Sequence, residues 1–215
     1  MKSLSILAFG LAIMAFFSCQ QELLEEQTIY VNDFTTGNLE DFITQRGIDF
    51  YNGDSVLGFF NNEGFSMKLR NLPSHNMVRV SIDLYLHDSW DGNFQDPGGP
   101  DVWKMFLDEQ EVLNTTFSNS PCESAYCLYQ SYPENYVRQF VPKTGVVRGN
   151  LPGRCQYAGI PNWTSHYRIS KLISHNNSTL TISCLDELVQ WNAEDQRCDE
   201  SWSVNKIEVS VLNVR

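Results

Sequence analysis

The segment at residues 77–87, MVRVSIDLYLH, limits the possible fold of this chain more than any other feature. Its apolar positions are Val78, Val80, Ile82, Leu84 and Leu86, and the residues between them are mostly polar. A period of two places alternate side chains on opposite faces of a β-strand. The segment therefore predicts a strand with one face against a core.

Other short alternating runs follow the same rule, at residues 64–72, 166–174, 178–186 and 203–214. The runs at residues 102–108 and 111–117 are predicted to pair as a hairpin, because only Glu109 and Gln110 separate them. No convincing amphipathic helix follows the N-terminal leader. These patterns predict a single all-β domain, residues 28–215, built as a two-sheet antiparallel β-sandwich of the jelly-roll type.

Residues 119–163 interrupt this rhythm with several prolines and glycines and with Cys122, Cys127 and Cys155. Only residues 137–141 in this stretch resemble a strand. Loops of this length are usually functional or poorly ordered. The stretch is predicted to be a long disulfide-bearing loop excursion over the surface of the sandwich.

The N-terminus predicts the cellular location. A lysine precedes an apolar run at residues 4–17, which is short for a membrane span, so residues 1–18 are predicted to be a signal peptide. The small residue before Cys19 resembles a bacterial lipobox, which implies cleavage before Cys19 and its lipidation, anchoring the protein to a lipid membrane. Residues 19–27 are acidic and are predicted to be a tether. The expected location is the outer membrane or cell surface, lipid-anchored; an ordinary secretory signal is the alternative.

Five cysteines remain without the leader, and an oxidising compartment permits disulfides between them. Cys122 and Cys127 are close enough in sequence to form a local disulfide. Cys184 and Cys198 flank a loop and are predicted to form a second one, which leaves Cys155 single. The four histidines show no zinc-ligand spacing against the cysteines.

The net charge of −11 argues against nucleic acid as a partner, because affinity for phosphates needs clustered Lys and Arg. The acidity suits an extracellular protein or one that binds cations. Two acidic-Ser-Trp segments, DSWDGN at residues 88–93 and DESW at residues 199–202, suggest where a cation would bind.

Calcium prefers six to eight oxygen ligands from carboxylates, amides and carbonyls. We expect early and late loops of a jelly roll to share one end, where their carboxylates would repel unless a cation neutralised them. The predicted calcium ligands are Asp88, Asp91, Asp101, Asp199 and Glu200. The alternative is a solvated turn rich in Asp and Asn. Trp90 and Trp202 are either lids over this site or core residues.

The segments DLYLHDSWDGN, GPDVW, SHNNSTLTIS and DESWSVNKIEV together resemble a group of largely uncharacterised secreted modules of bacteria and protists. The resemblance covers most of residues 31–214. It implies an extracellular jelly-roll, lectin-like module rather than a particular reaction. The chain departs from the group's pattern at Ser203, Asn205 and Lys206.

A cell-surface binding or adhesion module is the favoured function, with a glycan or a surface protein as partner. The predicted ligand-binding residues are Asp83, Tyr85 and His87, which share one face of a strand, and the excursion adds Tyr132, Tyr136, Tyr157 and Trp163.

A glycoside hydrolase is the first alternative, with Asp83 paired to Asp88 or Glu208, since such enzymes need two facing carboxylates. It is less favoured because the strand signature of sandwich glucanases and the Gly-x-Ser-x-Gly motif are both absent. A purely structural scaffold is the second alternative.

Overall fold

The computed structural model describes residues 22–95, 97–123, 126–191 and 193–215. The predicted signal peptide at residues 1–18 and the predicted lipidation residue Cys19 lie outside the described residues. The described elements are β1 (Leu23–Asn32), β2 (Phe42–Thr44), β3 (Ile48–Tyr51), β4 (Asp54–Phe60), β5 (Gly64–Arg70), β6 (Met77–Asp88), β7 (Val102–Leu107), β8 (Gln110–Thr116), β9 (Arg148–Leu151), β10 (Thr164–Ser174), β11 (Thr179–Glu187), α1 (Gln196–Asp199) and β12 (Glu200–Val214).

The strands form two antiparallel sheets, which confirms the predicted all-β sandwich. In the first sheet the spatial order is β3-β4-β12-β6-β10-β9, and β1 pairs with the second half of β12. In the second sheet the order is β2-β5-β11-β7-β8. The hairpin predicted from two adjacent runs is the pair β7 and β8.

The core lies between the two sheets and follows the predicted alternation. Val80, Ile82 and Leu84 of β6 are fully buried, and so are Leu180 and Ile182 of β11 from the facing sheet. Buried apolar area drives association of the two layers because it leaves water. The long central strands β6 and β12 pair along twelve positions of β6, so their ends hold the loops that follow β6 and precede β12 side by side.

The predicted tether at residues 19–27 is wrong from Leu23 onward, because these residues form strand β1. It begins at Leu23 and pairs antiparallel with β12 from Val214 inward, so the sandwich starts five residues earlier than residue 28. The acidic side chains of this segment point into solvent, which an edge strand tolerates because its stabilising contacts are backbone hydrogen bonds. Among the described residues, no helix is long and apolar enough to cross a membrane.

The cysteines confirm one predicted disulfide and correct the other. Cys122 and Cys127 are bonded to each other. Cys198 is bonded to Cys155, so the predicted Cys184–Cys198 disulfide is wrong. Cys184 follows Leu180 and Ile182 on the inward face of β11, where it is fully buried and burial raises the pKa of its thiol. A side chain inside the core cannot reach the loop that carries Cys198.

The excursion at residues 119–163 covers part of the first sheet. Its one described strand is β9, which pairs with β10, whereas the strand-like residues 137–141 contribute only an isolated bridge between Phe140 and Gln130. Tyr132 of the excursion packs on Phe117 of the core, with ring centroids 5.0 Å apart. The excursion is therefore part of the folded body.

Asp186 is a buried carboxyl group whose protonation should make the stability of the fold depend on pH. Its carboxylate accepts hydrogen bonds from the Trp202 indole (2.7 Å) and from the backbone N–H groups of Asn62 (2.7 Å) and Glu63 (3.2 Å). Burial nevertheless raises the pKa of Asp186 to about 6. The folded chain thus holds a proton on Asp186 at a pH where the unfolded chain has lost it.

We expect this contribution to stability to be complete below pH about 4 and to disappear as the pH rises through about 6. Between those limits, the difference in free energy of unfolding between the protein and its Asp186→Asn variant should change by ~3 kcal/mol. Urea unfolding at several pH values measures it. Parallel pH profiles for the two proteins would contradict the assignment.

Candidate functional site

The two acidic-Ser-Trp segments meet at one end of the sandwich, as the first and last positions of a shared strand pair. Asp88 at the end of β6 pairs with Glu200 at the start of β12. The next residue, Ser89, donates its hydroxyl to the Asp199 carboxylate (2.8 Å) and its backbone N–H to the Asp199 carbonyl (3.0 Å). The loops from both ends of the sequence therefore form one surface.

Both motif tryptophans are core residues and neither is a lid. Trp90 and Trp202 are fully buried. The Trp90 indole donates to the Ser201 carbonyl (2.9 Å), and the Trp202 indole donates to Asp186. Each indole thus satisfies its one donor inside the protein, as buried tryptophans usually do.

Gly92 of the first motif lies where two loops approach each other closely. It has a φ of 66°, and a Cβ at this position would lie 2.3 Å from the carbonyl oxygen of Tyr129 in the excursion. The neighbouring Asn93 donates its backbone N–H to the same carbonyl (2.7 Å). Only glycine fits both this contact and the left-handed backbone without strain.

Asp88 holds the excursion in place. It is fully buried, and its carboxylate accepts hydrogen bonds from the backbone N–H groups of Cys155 and Tyr157 (3.1 Å each at closest). Burial raises the pKa of Asp88, and these two hydrogen bonds oppose that effect. Backbone donors therefore occupy this carboxylate.

A cavity of about 360 Å³ opens where these loops meet, within the size range of ligand sites. We call it the end pocket. Its aromatic lining residues are Phe94, Tyr126, Tyr157, Trp163 and Trp191; its carboxylates are Asp91, Asp199 and Glu200; and its amides are Gln156 and Gln190. Among the described residues, no lysine, arginine or histidine lines the cavity.

Two aromatic side chains of the end pocket, Trp191 and Tyr126, are largely exposed to solvent. Trp191 is 67% exposed and Tyr126 is 58% exposed. Tyr157 and Trp163 stack face to face, with ring centroids 3.7 Å apart and planes 6° apart. The disulfide between Cys155 and Cys198 joins the loop that carries Tyr157 to the segment that carries Asp199. The fold therefore brings apolar ring surface next to carboxylates.

The carboxylates of the end pocket accept hydrogen bonds from neutral donors. Ser120 donates to Asp91 (3.2 Å) and Gln190 donates to Glu200 (2.7 Å). Behind them, the fully buried Asp101 accepts from the backbone N–H of Asp91 (2.7 Å). Burial is the main cause of the raised pKa values of these groups. It raises the pKa of Asp91 to about 6. For Asp101 and Glu200, burial raises the pKa well above the usual value, and the charge of a neighbouring carboxylate adds to it.

Four of the five predicted calcium ligands thus gather at this end: Asp91, Asp101, Asp199 and Glu200. Across the parts of the chain that the structure describes, no group of three or more His, Cys, Asp or Glu side chains is arranged to hold a metal ion. Calcium binding stays a prediction, and Asp88 is the predicted ligand that faces elsewhere.

The predicted ligand-binding face at Asp83, Tyr85 and His87 is wrong for Tyr85 and His87. These two are 1% and 0% exposed, because Tyr51 covers both rings. The Tyr85 hydroxyl donates to Asp54 (2.7 Å), and burial keeps the pKa of His87 well below its usual value. Alternation alone could not reveal that β3 and the excursion cover the second face.

Asp83 lies on the outer face of the first sheet among cations. Burial would raise the pKa of its carboxyl, but the neighbouring His166 and the Arg168 guanidinium outweigh burial and lower it. Arg168 also contacts Glu208, at 3.4 Å from each carboxylate. A glycosidase needs one carboxylic acid that keeps its proton near neutral pH. The pair Asp83 and Glu208 does not supply one.

Trp191, Tyr126 and the two glutamines were missed from the sequence. A usable signal existed for Trp191, because its immediate neighbours in sequence, Gln190 and Asn192, are polar and the stretch that follows is largely polar or charged. Tyr157 and Trp163 were expected to be available aromatics of the excursion, and the structure places both in the end pocket.

No protein-family model matches the sequence, and no curated protein matches it. Among solved structures, the chain is similar to dimeric latent PorU from Porphyromonas gingivalis, with 11% identity and a TM-score of 0.36, over 69% of this chain and 10% of that one. It is similar to basic winged bean lectin with Tn-antigen, with 9% identity and a TM-score of 0.42, over 87% and 99% of the two chains.

It is also similar to the carbohydrate-binding module of Cellvibrio mixtus lichenase 5A in complex with cellotriose. That similarity has 9% identity and a TM-score of 0.35, and it covers 85% of this chain and 97% of the module. At TM-scores below 0.5, these similarities say nothing about which residues of this chain bind or act.

Proposed function

We propose that the protein is a glycan-binding module and that the end pocket is its binding site. The observation that carries this proposal is the composition of that cavity, where exposed aromatic rings lie beside carboxylate and amide side chains. A sugar ring has an apolar face and a rim of hydroxyl groups. It therefore needs flat apolar surface and hydrogen-bonding groups within the reach of one ring.

The end pocket supplies both kinds of contact. The indole of Trp191 is available to a sugar face because most of its surface meets solvent. Asp199 and Gln156 lie at the same cavity and share the Ser89 hydroxyl, which is 2.8 Å from an oxygen of each. Their remaining oxygen and amide groups are suited to accept from and donate to sugar hydroxyls.

The variant Trp191→Ala tests the proposal. We expect it to weaken glycan binding by about tenfold or more, because it removes the most exposed aromatic surface of the cavity, and tryptophan is a typical hot-spot residue. Its stability should change little, since the side chain is 67% exposed. A glycan-array screen of the full chain identifies the ligand, and titration calorimetry with that ligand measures the loss.

Phe50→Ala is the matched control, because Phe50 is 74% exposed and lies on β3, outside the end pocket. It should bind as tightly as the unmodified protein. If the folded protein bound no glycan, the proposal would fail in favour of a structural scaffold. Release of reducing ends from a bound oligosaccharide would instead favour a glycoside hydrolase.

We also propose that a lipid on Cys19 anchors this module to the cell surface. The support is the leader sequence together with the position of the chain's first described residues. Glu22 pairs with Arg215 at the far end of β12, whereas the end pocket lies at the start of that strand, beside Glu200. Fifteen residues of strand span about 45–50 Å, so an anchor at Cys19 leaves the pocket facing away from the membrane. Labelled palmitate should enter the unmodified protein but not its Cys19→Ser variant.

A further inference from the structure

We infer that the ligand of the end pocket carries positive charge, and that its chemical class is an oligosaccharide of amino sugars with free amines. This inference rests on the glycan-binding function proposed above and specifies the substrate class of the same site. It comes from the charges, the unpaired groups and the aromatic surface of the cavity.

The first observation is a group of carboxyl groups without a cationic partner. Asp91, Asp199 and Glu200 line the cavity, and Asp101 lies directly behind. Among the described residues, none of these four carboxylates forms an ion pair, and their hydrogen-bond donors are hydroxyl, amide and backbone groups. Like charges held this close repel one another. A cationic ligand would relieve that repulsion, and a neutral sugar would not.

The second observation is a buried carboxylate oxygen without a donor. Asp101 is fully buried, its Oδ2 accepts from the Asp91 backbone, and its Oδ1 has no hydrogen-bond partner in the described structure. The Asp101 side chain lies against Glu200, which faces the cavity. Buried polar atoms without a partner are rare and costly in folded proteins. Burial and the neighbouring Asp91 raise the pKa of Asp101, and a cation bound at the pocket wall would favour its charged form.

The third observation is the aromatic surface beside these carboxylates. An ammonium group within about 6 Å of a tryptophan or tyrosine ring is attracted by the ring's negative face. Trp191 and Tyr126 offer exposed rings, and the stacked pair Tyr157 and Trp163 adds a third surface. Aromatic rings combined with carboxylates suit an organic cation better than a bare metal ion, because a metal ion gains nothing from the apolar faces that the cavity exposes.

The charge of the whole chain acts in the same direction. The net charge is −11, so a cationic oligosaccharide is attracted before contact and an anionic one is repelled. Attraction of this kind weakens as salt increases. Affinity for the ligand should therefore fall with ionic strength, whereas affinity for a neutral sugar should not.

Titration calorimetry with matched probes tests the inference on the full chain. The probes are an oligomer of glucosamine with free, protonated amines, its fully N-acetylated counterpart of the same length, and spermine as a cation without sugar rings. We expect the glucosamine oligomer to bind about tenfold tighter than the acetylated one at low salt. We expect spermine to bind more weakly than the glucosamine oligomer, because it cannot stack on the aromatic rings.

Asp199→Asn removes one charge and keeps the oxygen that accepts from Ser89. Both oligomers lose a carboxylate oxygen that can accept from sugar hydroxyls, but the glucosamine oligomer also loses a charge partner, so its affinity should fall about fivefold more than that of the acetylated oligomer. Glu194→Gln is the matched control, because it removes the same charge from the same segment at an exposed residue outside the end pocket. This control should bind both oligomers like the unmodified protein.

The outcomes separate this inference from the proposed function. Equal affinity for the free and acetylated oligomers would overturn the inference and leave glycan binding intact. Spermine binding as tightly as the glucosamine oligomer would overturn the amino-sugar assignment in favour of attraction by charge alone. If neither these oligomers nor any arrayed glycan bound, the proposed function itself would fail.

Discussion

Replacing Trp202 with alanine is expected to lower the free energy of unfolding by about 4 kcal/mol. Trp202 is fully buried, and its ring packs on Phe60 at 4.5 Å and on Trp103 at 5.8 Å between centroids. Truncation leaves a cavity that these neighbours cannot fill. It also removes the indole donor from the buried Asp186 carboxylate. Denaturant unfolding followed by fluorescence or circular dichroism measures the loss.

Trp191→Ala is the control, because it deletes the same side chain from a site that is 67% exposed. Its free energy of unfolding should change by less than about 1 kcal/mol. The two substitutions should affect different properties: Trp202→Ala lowers the free energy of unfolding, and Trp191→Ala weakens glycan binding. Similar stability losses for both variants would contradict the core assignment of Trp202.

Removing the disulfide between Cys155 and Cys198 is expected to cost a similar amount. The two cysteines are 43 residues apart, and closing a loop of that length in the unfolded chain corresponds to about 4 kcal/mol. The double variant Cys155→Ala, Cys198→Ala removes this constraint without leaving a free thiol at either position. It also frees the loop that carries Tyr157, so glycan binding should weaken together with stability.

The other disulfide provides the internal comparison. Cys122 and Cys127 are only five residues apart, so replacing both by alanine should cost about 2 kcal/mol, roughly half as much. Thermal or urea unfolding of the two double variants under identical conditions gives the difference. If the short-range pair cost as much as the long-range pair, loop closure would not explain the stabilisation.

The residues that the sequence predicted well are those whose behaviour is local. Val80, Ile82 and Leu84 alternate with polar neighbours, and a strand can bury them only by turning one face inward. The β7–β8 hairpin followed from two runs joined by a short turn. The disulfide between Cys122 and Cys127 followed from their closeness in the chain.

The residues that the sequence predicted poorly depend on what lies across from them. Tyr85 and His87 have the pattern of an exposed face, but Tyr51 from another strand covers them. Cys198 has a nearer candidate partner in sequence, Cys184, and a more distant one, Cys155, and only the inward direction of Cys184 excludes the nearer one. The carboxylate of Asp88 is bonded to backbone N–H groups 67 and 69 residues away.

By itself, the sequence determined that this chain forms short antiparallel strands in two layers, because hydrophobic alternation is a property of neighbouring residues. It also indicated that two distant acidic segments share one end. Only the tertiary structure decided which side chains of that end face a cavity. That choice follows from packing: the same loops bury Trp90 and Trp202 in the core, and they leave Trp191 and the carboxylates of Asp91 and Asp199 at a surface that a ligand can reach.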